Sequence, residues 1–112
     1  MEKEFVTYEL AIKLKELGFN EPCLKSYGSD GLLNMFDHEM YLSAPLYQQA
    51  FRWFREKYYW TIKVNQITKN SWSYTLENFT QERMYYGGLY ETFEVAEITC
   101  LEKLIEFIER EK

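Results

Sequence analysis

The chain has 112 residues, of which 46% are hydrophobic and 28% charged, and its formal net charge is −5. This length suits one domain with its own core, so we expect residues 1–112 to form a single domain. The hydrophobic content excludes an intrinsically disordered chain, the acidic balance disfavours nucleic acid as a partner, and no apolar run is long enough to span a membrane.

The cysteines and the N-terminus indicate the compartment. Cys23 and Cys100 are the two cysteines, they are far apart in sequence, and neither belongs to a C-x-x-C pair. The N-terminal residues lack the apolar stretch of a signal peptide. We therefore expect reduced thiols in a cytoplasmic protein.

The first helix is predicted from its two ends. Thr7 can cap a helix over residues 8–17, in which the apolar side chains recur at helical spacing. Gly18 follows directly and is a typical helix stop.

A hairpin is predicted next. Residues 23–27 and 32–36 flank the segment Gly28-Ser29-Asp30-Gly31, whose glycines and Asp-Gly step favour a tight turn. Residues 37–42 fit neither a helical nor a strand pattern clearly.

A second helix is predicted to begin at Ser43, as its N-cap, with Pro45 in the first turn and an end near Tyr58. Two adjacent apolar stripes predict that this helix is buried on two sides. The stripes are Leu46, Ala50, Trp53 and Phe54, and then Tyr47, Phe51 and Tyr58.

The periodicity then changes from helical to alternating. Trp60, Ile62 and Val64 alternate with polar residues, as do Trp72, Tyr74 and Leu76, which predicts two half-buried antiparallel strands. A third strand is predicted within residues 83–90, interrupted by Gly87-Gly88.

The last helix is predicted over residues 92–109, with Thr92 as its cap. Its predicted inner face is Phe93, Ala96, Cys100, Leu101, Leu104, Ile105 and Ile108. The order is then α-β-β-α-β-β-β-α, an α+β fold in which an antiparallel β-sheet has α-helices packed on one face.

No catalytic, cofactor-binding or metal-binding residue is predicted. Asp37-His38-Glu39 is the only cluster of ligand-type residues, but adjacent side chains diverge and His38 is the only histidine. Cys100 with His38 is conceivable as a nucleophile pair, although the position of Cys100 on an apolar helix face predicts an inert core thiol. No cofactor is therefore expected.

Five cations form the best candidate for partner contact. Residues 52–69 contain one acid, Glu56, and the cations Arg52, Arg55, Lys57, Lys63 and Lys69. Cations interleaved with aromatic rings can bind phosphates while the rings stack on bases. The alternative is that the rings belong to the core and the cations extend over them, and the alternation that places Trp60 inward favours this.

From Ser43 onward, the order helix, three strands, helix resembles a double-stranded RNA-binding domain in outline. That family has a lysine cluster at the start of the last helix, where this chain has Glu94, Val95, Ala96 and Glu97. Acids there would repel a duplex backbone, so the likeness carries little functional weight.

A wider resemblance rests on three segments: residues 8–11 with 14–23, residues 44–58, which are the most specific, and residues 92–97 with 100–105. These look like a group of short uncharacterised proteins of gut bacteria and of their phages and integrated elements. The resemblance implies a phage or mobile-element context and no assigned activity. A Glu commonly stands in that group at the position of Val95.

These features predict a small non-enzymatic interaction protein that acts by contact with an unidentified protein partner. The alternative is a nucleic-acid-binding module with a degenerate double-stranded RNA-binding-like fold. A small-molecule enzyme would need a pocket with convergent polar groups, and the sequence gives no reason to expect one. A homodimer is also expected, in which the basic middle meets the acidic C-terminal helix across a two-fold axis.

Overall fold

The computed structural model describes residues 2–28, 31–34 and 42–111. It confirms the α+β class and the predicted order of elements, and adds a short third strand before the second helix. After a 3₁₀ turn at Glu2–Glu4, the elements are α1 (Tyr8–Glu16), β1 (Lys25–Tyr27), β2 (Leu33–Asn34), β3 (Leu42–Ala44), α2 (Tyr47–Tyr58), β4 (Trp60–Thr68), β5 (Ser71–Asn78), β6 (Arg83–Tyr86) and α3 (Phe93–Glu111).

The described strands pair antiparallel, as predicted, but they form two sheets rather than one. One sheet has the order β2-β1-β3 and the other β4-β5-β6. The chain also divides into two compact units. The first comprises Met1–Ala50 and Ile105–Lys112, and the second comprises Phe51–Leu104.

The ends of α1 confirm the sequence prediction. The backbone N–H of Leu10 donates to Oγ1 of Thr7 at 3.3 Å. Gly18 has φ 105, a left-handed conformation that glycine adopts without strain. In this conformation, Phe19 N–H donates to Leu14 O and Gly18 N–H donates to Lys15 O, both at 3.0 Å. These bonds satisfy two of the last backbone carbonyls of α1.

The predicted hairpin is confirmed where the structure describes it. β1 pairs with β2 through Ser26 opposite Asn34 and Tyr27 opposite Leu33. Gly28 N–H donates to Leu32 O at 3.0 Å, which closes the turn. Ser29, Asp30 and residues 35–41 lie outside the described residues, and so does the Asp37-His38-Glu39 cluster.

The predicted start of α2 was wrong. Ser43 lies in β3, opposite Ser26, and does not cap the helix. Pro45 precedes the helix as well, and its carbonyl accepts the N–H of Val6 at 2.9 Å. Long-range strand pairing therefore satisfies the backbone here and overrides the local helix-start signal, so that α2 begins only at Tyr47.

Two faces can be distinguished in the sheet of the second unit. Trp60 lies opposite Asn78, Ile62 opposite Leu76 and Val64 opposite Tyr74, so these alternate residues share one face. Trp60, Tyr74 and Leu76 are fully buried, as the alternation predicts. The other face carries polar side chains, including Thr61, Lys63, Asn65, Ser73 and Thr75.

The rings on the buried face are layered. Tyr74 stacks between Tyr85 and Tyr90, with centroid distances of 6.1 and 6.0 Å. Gly87 lies against the same ring, because a Cβ there would be 2.4 Å from a carbon of Tyr74. The predicted interruption of the third strand at Gly87 thus serves close packing, and β6 ends at Tyr86.

The cap of α3 is confirmed, since Val95 N–H donates to Oγ1 of Thr92 at 3.1 Å. The predicted inner face is buried except for Phe93, which is 38% exposed. Glu106 and Arg110, which are four residues apart on α3, form an ion pair.

Candidate partner-binding surface

The five cations predicted as partner contacts are all exposed, but they lie on different surfaces. Arg52 and Arg55 share the solvent face of α2, because residues three apart on a helix are neighbours. Arg52 Nε lies 3.7 Å from Glu56 Oε1, a solvent-exposed pair that contributes little to stability.

The remaining three cations are dispersed. Lys57 Nζ lies 5.0 Å from the ring centroid of Trp53 and 5.5 Å from that of Tyr58, so it is engaged with aromatic rings. Lys63 is on the polar face of the sheet. Lys69 is in the turn beyond β4, whose 9 residues correspond to about 30 Å of strand. The described structure therefore does not bring the five cations to one surface.

Cys100, which the sequence predicts to be an inert thiol rather than a nucleophile, is a core residue. Its side chain is fully buried. Burial raises the pKa of the Cys100 thiol well above its ordinary value, and the charge of Glu97 raises it further. A thiol that stays protonated is a poor nucleophile, so the prediction of an inert side chain is confirmed.

Among the described residues there is neither a cluster of metal-ligand side chains nor a membrane-spanning helix. Within residues 2–28, 31–34 and 42–111, no three His, Cys, Asp or Glu side chains are grouped so that they could hold a metal ion. The helices in that part of the chain include none that is long and apolar enough to cross a membrane.

An exposed apolar surface lies where β5 meets the loop before α3. We call it the loop–helix patch and define it as Trp72, Leu89, Phe93 and Val95. Leu89 is 70% exposed, Val95 46% and Phe93 38%, and Trp72 is half-buried. Trp72 and Phe93 are in contact, and Leu89 and Val95 lie within a few residues of Phe93 along the chain. Exposed apolar side chains that lie this close along the chain, rather than being scattered singly, are typical of contact surfaces.

The loop–helix patch is built on well-anchored backbone. Trp72 and Tyr90 exchange two backbone hydrogen bonds, of 2.7 and 2.8 Å, which tie the loop to the central strand. The rings of Trp72 and Phe93 meet edge to face with centroids 5.3 Å apart. Thr92 fixes the start of α3 immediately beside them. The patch is therefore preorganised, which lowers the entropic cost of binding.

Along the chain, the charged residues next to the loop–helix patch are all acidic. Residues 84–102 contain Glu91, Glu94, Glu97 and Glu102 and no lysine or arginine. Glu91 and Glu94 stand within the segment that supplies Leu89, Phe93 and Val95. An anionic partner such as nucleic acid would be repelled here.

No family model, no curated protein and no solved structure matches this chain. The resemblances noted from the sequence therefore stay predictions. The function has to be argued from the surfaces of this chain.

Strand addition at β4 is a poor fit as the mode of contact. β4 is an edge strand of its sheet, but its register with β5 shifts between Gln66 and Thr68, and Lys63 projects from it. Irregular pairing and edge lysines both oppose the addition of another strand.

Sequence reasoning missed the loop–helix patch. It assigned Phe93 to the inner face of the last helix and Trp72 to the half-buried strands, and it did not single out Leu89 or Val95. One available signal was the run of residues 84–102 without a cation. A second was Val95 itself, an apolar residue in the first turn of a capped helix, where acids are favoured.

Proposed function

We propose that this chain is a non-enzymatic interaction protein of the cytoplasm that acts by protein–protein contact through the loop–helix patch. The observation that carries the proposal is the exposure of Leu89, Phe93 and Val95 beside a ring pair held by backbone pairing. Burying an exposed apolar side chain of this size favours association by about 1.5–3 kcal/mol when burial is complete. Three such side chains within seven residues of the chain support a specific contact.

The chemistry of the described titratable residues also supports binding rather than catalysis. Cys100, the one candidate nucleophile, is buried among apolar residues of α3 and stays protonated. Aromatic side chains of the second unit pack on one another, as the stacking of Tyr74 with Tyr85 and Tyr90 illustrates.

A phage or mobile-element context is part of the proposal and rests on the sequence resemblance alone. In that context, such a protein would modulate a partner encoded by the host or by the element.

The test is affinity capture from cells that naturally produce the protein, with three forms of it compared. Leu89→Gln/Val95→Gln makes the loop–helix patch polar without adding charge. Leu24→Gln/Leu32→Gln is the matched control, because those leucines are 71% and 65% exposed in the other unit. We expect the patch variant to lose a partner that the wild type and the control retain.

Capture of the same proteins by all three forms, at equal yield, would contradict the proposal. Both double variants must unfold at the denaturant concentration of the wild type or above it. Loss of capture then reports on the surface rather than on folding.

Nucleic-acid binding is the second candidate, and the exposure of Arg52, Arg55, Lys57, Lys63 and Lys69 is the observation in its favour. Their dispersal over several surfaces counts against it. This candidate predicts binding to RNA or single-stranded DNA that weakens steeply with salt. Negligible binding at low salt would remove it.

A further inference from the structure

We infer that the loop–helix patch binds the arginine face of α2, formed by Arg52 and Arg55, in a second copy of this chain. The inference rests on the proposed function, because it names the occupant of the same surface. The dimer is two-fold symmetric, weak and sensitive to salt.

Charge complementarity is the first reason. Glu91 and Glu94 are interspersed with the apolar side chains of the loop–helix patch, and residues 84–102 carry no cation. A fitting partner therefore presents cations beside an apolar or aromatic group. The arginine face of α2 has this chemistry, since Arg52 and Arg55 are exposed and the 61% exposed Tyr59 directly follows the helix.

Tyr59 is held in a fixed position for such a contact. Its φ is 64, a left-handed conformation that a tyrosine rarely adopts. Its N–H donates to Arg55 O at 3.1 Å, so the backbone still closes the last turn of α2. The chain then enters β4 at the buried Trp60, which prevents this segment from shifting.

The placement of the two surfaces within the second unit permits two-fold closure. The arginine face precedes Trp60 at one end of the β4–β5 hairpin, whereas Trp72 lies opposite Gln66 toward the other end. Six residues of strand separate Trp60 from Gln66, or about 20 Å. If two copies lie antiparallel, the arginines of each copy reach the patch of the other. Both contacts then form at once, and no such surface remains free to bind a third copy.

The salt dependence distinguishes this dimer from an apolar one. Charges at the rim of a contact are screened within about 8–10 Å at 0.1–0.15 M salt. We therefore expect sedimentation velocity at near-millimolar protein to show dimer at low salt. The dissociation constant should rise by about tenfold or more in high salt.

Charge reversal provides the decisive test. Glu91→Lys/Glu94→Lys alone and Arg52→Glu/Arg55→Glu alone each place like charges together in both contacts of a homodimer, so each variant should be monomeric. In an equimolar mixture, both contacts of the mixed dimer have opposite charges again. The mixture should therefore sediment as a dimer with about the wild-type dissociation constant.

The controls carry the same charge changes on α1. Glu9→Lys/Glu16→Lys and Lys13→Glu/Lys15→Glu alter exposed residues in the other unit. Glu9 also lies in the first turn of its helix, as Glu94 does, so it controls for the loss of an acid near a helix N-terminus. Both control variants should dimerise like the wild type.

A monomeric wild type at low salt, or reversal variants that dimerise singly, would overturn the inference. So would a mixture of the two reversal variants that stays monomeric while the wild type dimerises. The proposed function is tested separately by the neutral variants at Leu89 and Val95. If the wild type is monomeric while those neutral variants still lose the captured partner, the inference about the second copy fails and the proposed function stands.

Discussion

The side-chain amide of Asn78 donates to the carbonyl oxygen of Tyr58 at 2.9 Å and so joins the end of β5 to the end of α2. The amide oxygen of Asn78 accepts from Thr80 N–H at 3.1 Å, from Thr80 Oγ1 at 2.7 Å and from Gln81 N–H at 3.1 Å. Asn78 is 1% exposed, so water cannot replace these bonds. One buried side chain thus sets the exit of α2 and the turn between β5 and β6.

Replacing Asn78 by Ala is predicted to lower the free energy of unfolding by about 2–4 kcal/mol, because it removes four hydrogen bonds made by one buried side chain. Urea unfolding followed by circular dichroism measures this. Asn65→Ala is the control, since Asn65 is exposed on β4 and should cost less than about 0.5 kcal/mol. Equal effects at the two positions would show that the Asn78 bonds do not stabilise the fold.

The glycine pair after β6 gives a second matched comparison. A Cβ on Gly87 would lie 2.4 Å from the ring of Tyr74, whereas the nearest atom to a Cβ on Gly88 is Tyr90 Oη at 3.6 Å. Gly87→Ala should therefore cost about 1–3 kcal/mol by overpacking the stacked rings. Gly88→Ala should be tolerated. A thermal melt of both variants checks the difference, and equal stability would mean that the ring of Tyr74 is free to move.

Val95 occupies the third position of α3, where a Gln side chain can reach back to the N–H of the cap residue. Thr92 already supplies the other half of that exchange. Val95→Gln is predicted to raise the free energy of unfolding by about 0.5 kcal/mol. Val95→Met is the control, because Met has a helix propensity similar to that of Gln but no side-chain group that can accept the N–H of the cap residue. If the two variants are equally stable, the added capping contact does not form.

Alkaline pH should destabilise the protein through two buried groups. Burial raises the pKa of the Cys100 thiol above its ordinary value of 9.0 and that of the Tyr74 phenol above 10.0. As the pH rises, the unfolded chain releases these protons first, so the unfolded state gains stability. The contribution of these two groups to the free energy of unfolding should be constant below about pH 8 and then fall by about 1.4 kcal/mol per pH unit once the unfolded thiol is ionised.

Urea titrations between neutral pH and pH 10 test this, with Cys100→Ala as the comparison. That variant starts from a lower stability but should lack the decline that begins near pH 9. If the wild type and the variant decline in parallel, the thiol of Cys100 is not the group responsible.

The sequence predicted those features of the fold whose determinants are local. Thr7 and Thr92 cap their helices, and Gly18 ends α1, because each satisfies backbone groups within a few residues of itself. The alternation in β4 and β5 likewise placed Trp60 and Tyr74 inward, since one face of a half-buried sheet must be apolar.

The features that depend on distant residues were not predicted. Ser43 has the composition of a helix cap, but its segment pairs with β1, which the local sequence does not reveal. The separation of the strands into two sheets also depends on distant residues, so the local sequence did not reveal it.

The loop–helix patch was missed for a related reason. Phe93 has the spacing of a core residue, yet its ring contacts Trp72 near the start of the central strand and stays partly exposed. The exposure of Leu89 depends on where the loop runs once Trp72 and Tyr90 have paired. Periodicity assigns a residue to a face, but it does not say how far the neighbouring element covers that face.

Site-specific photo-crosslinking tests the central claim most directly. A photoreactive amino acid at position 89 places the reactive group in the loop–helix patch, and one at position 24 places it on an equally exposed residue of the other unit. Illumination in the producing cell should yield a discrete crosslinked protein, either a second copy or another chain, from position 89 and none from position 24. Crosslinks from position 24 alone, or no discrete product from position 89, would contradict the account.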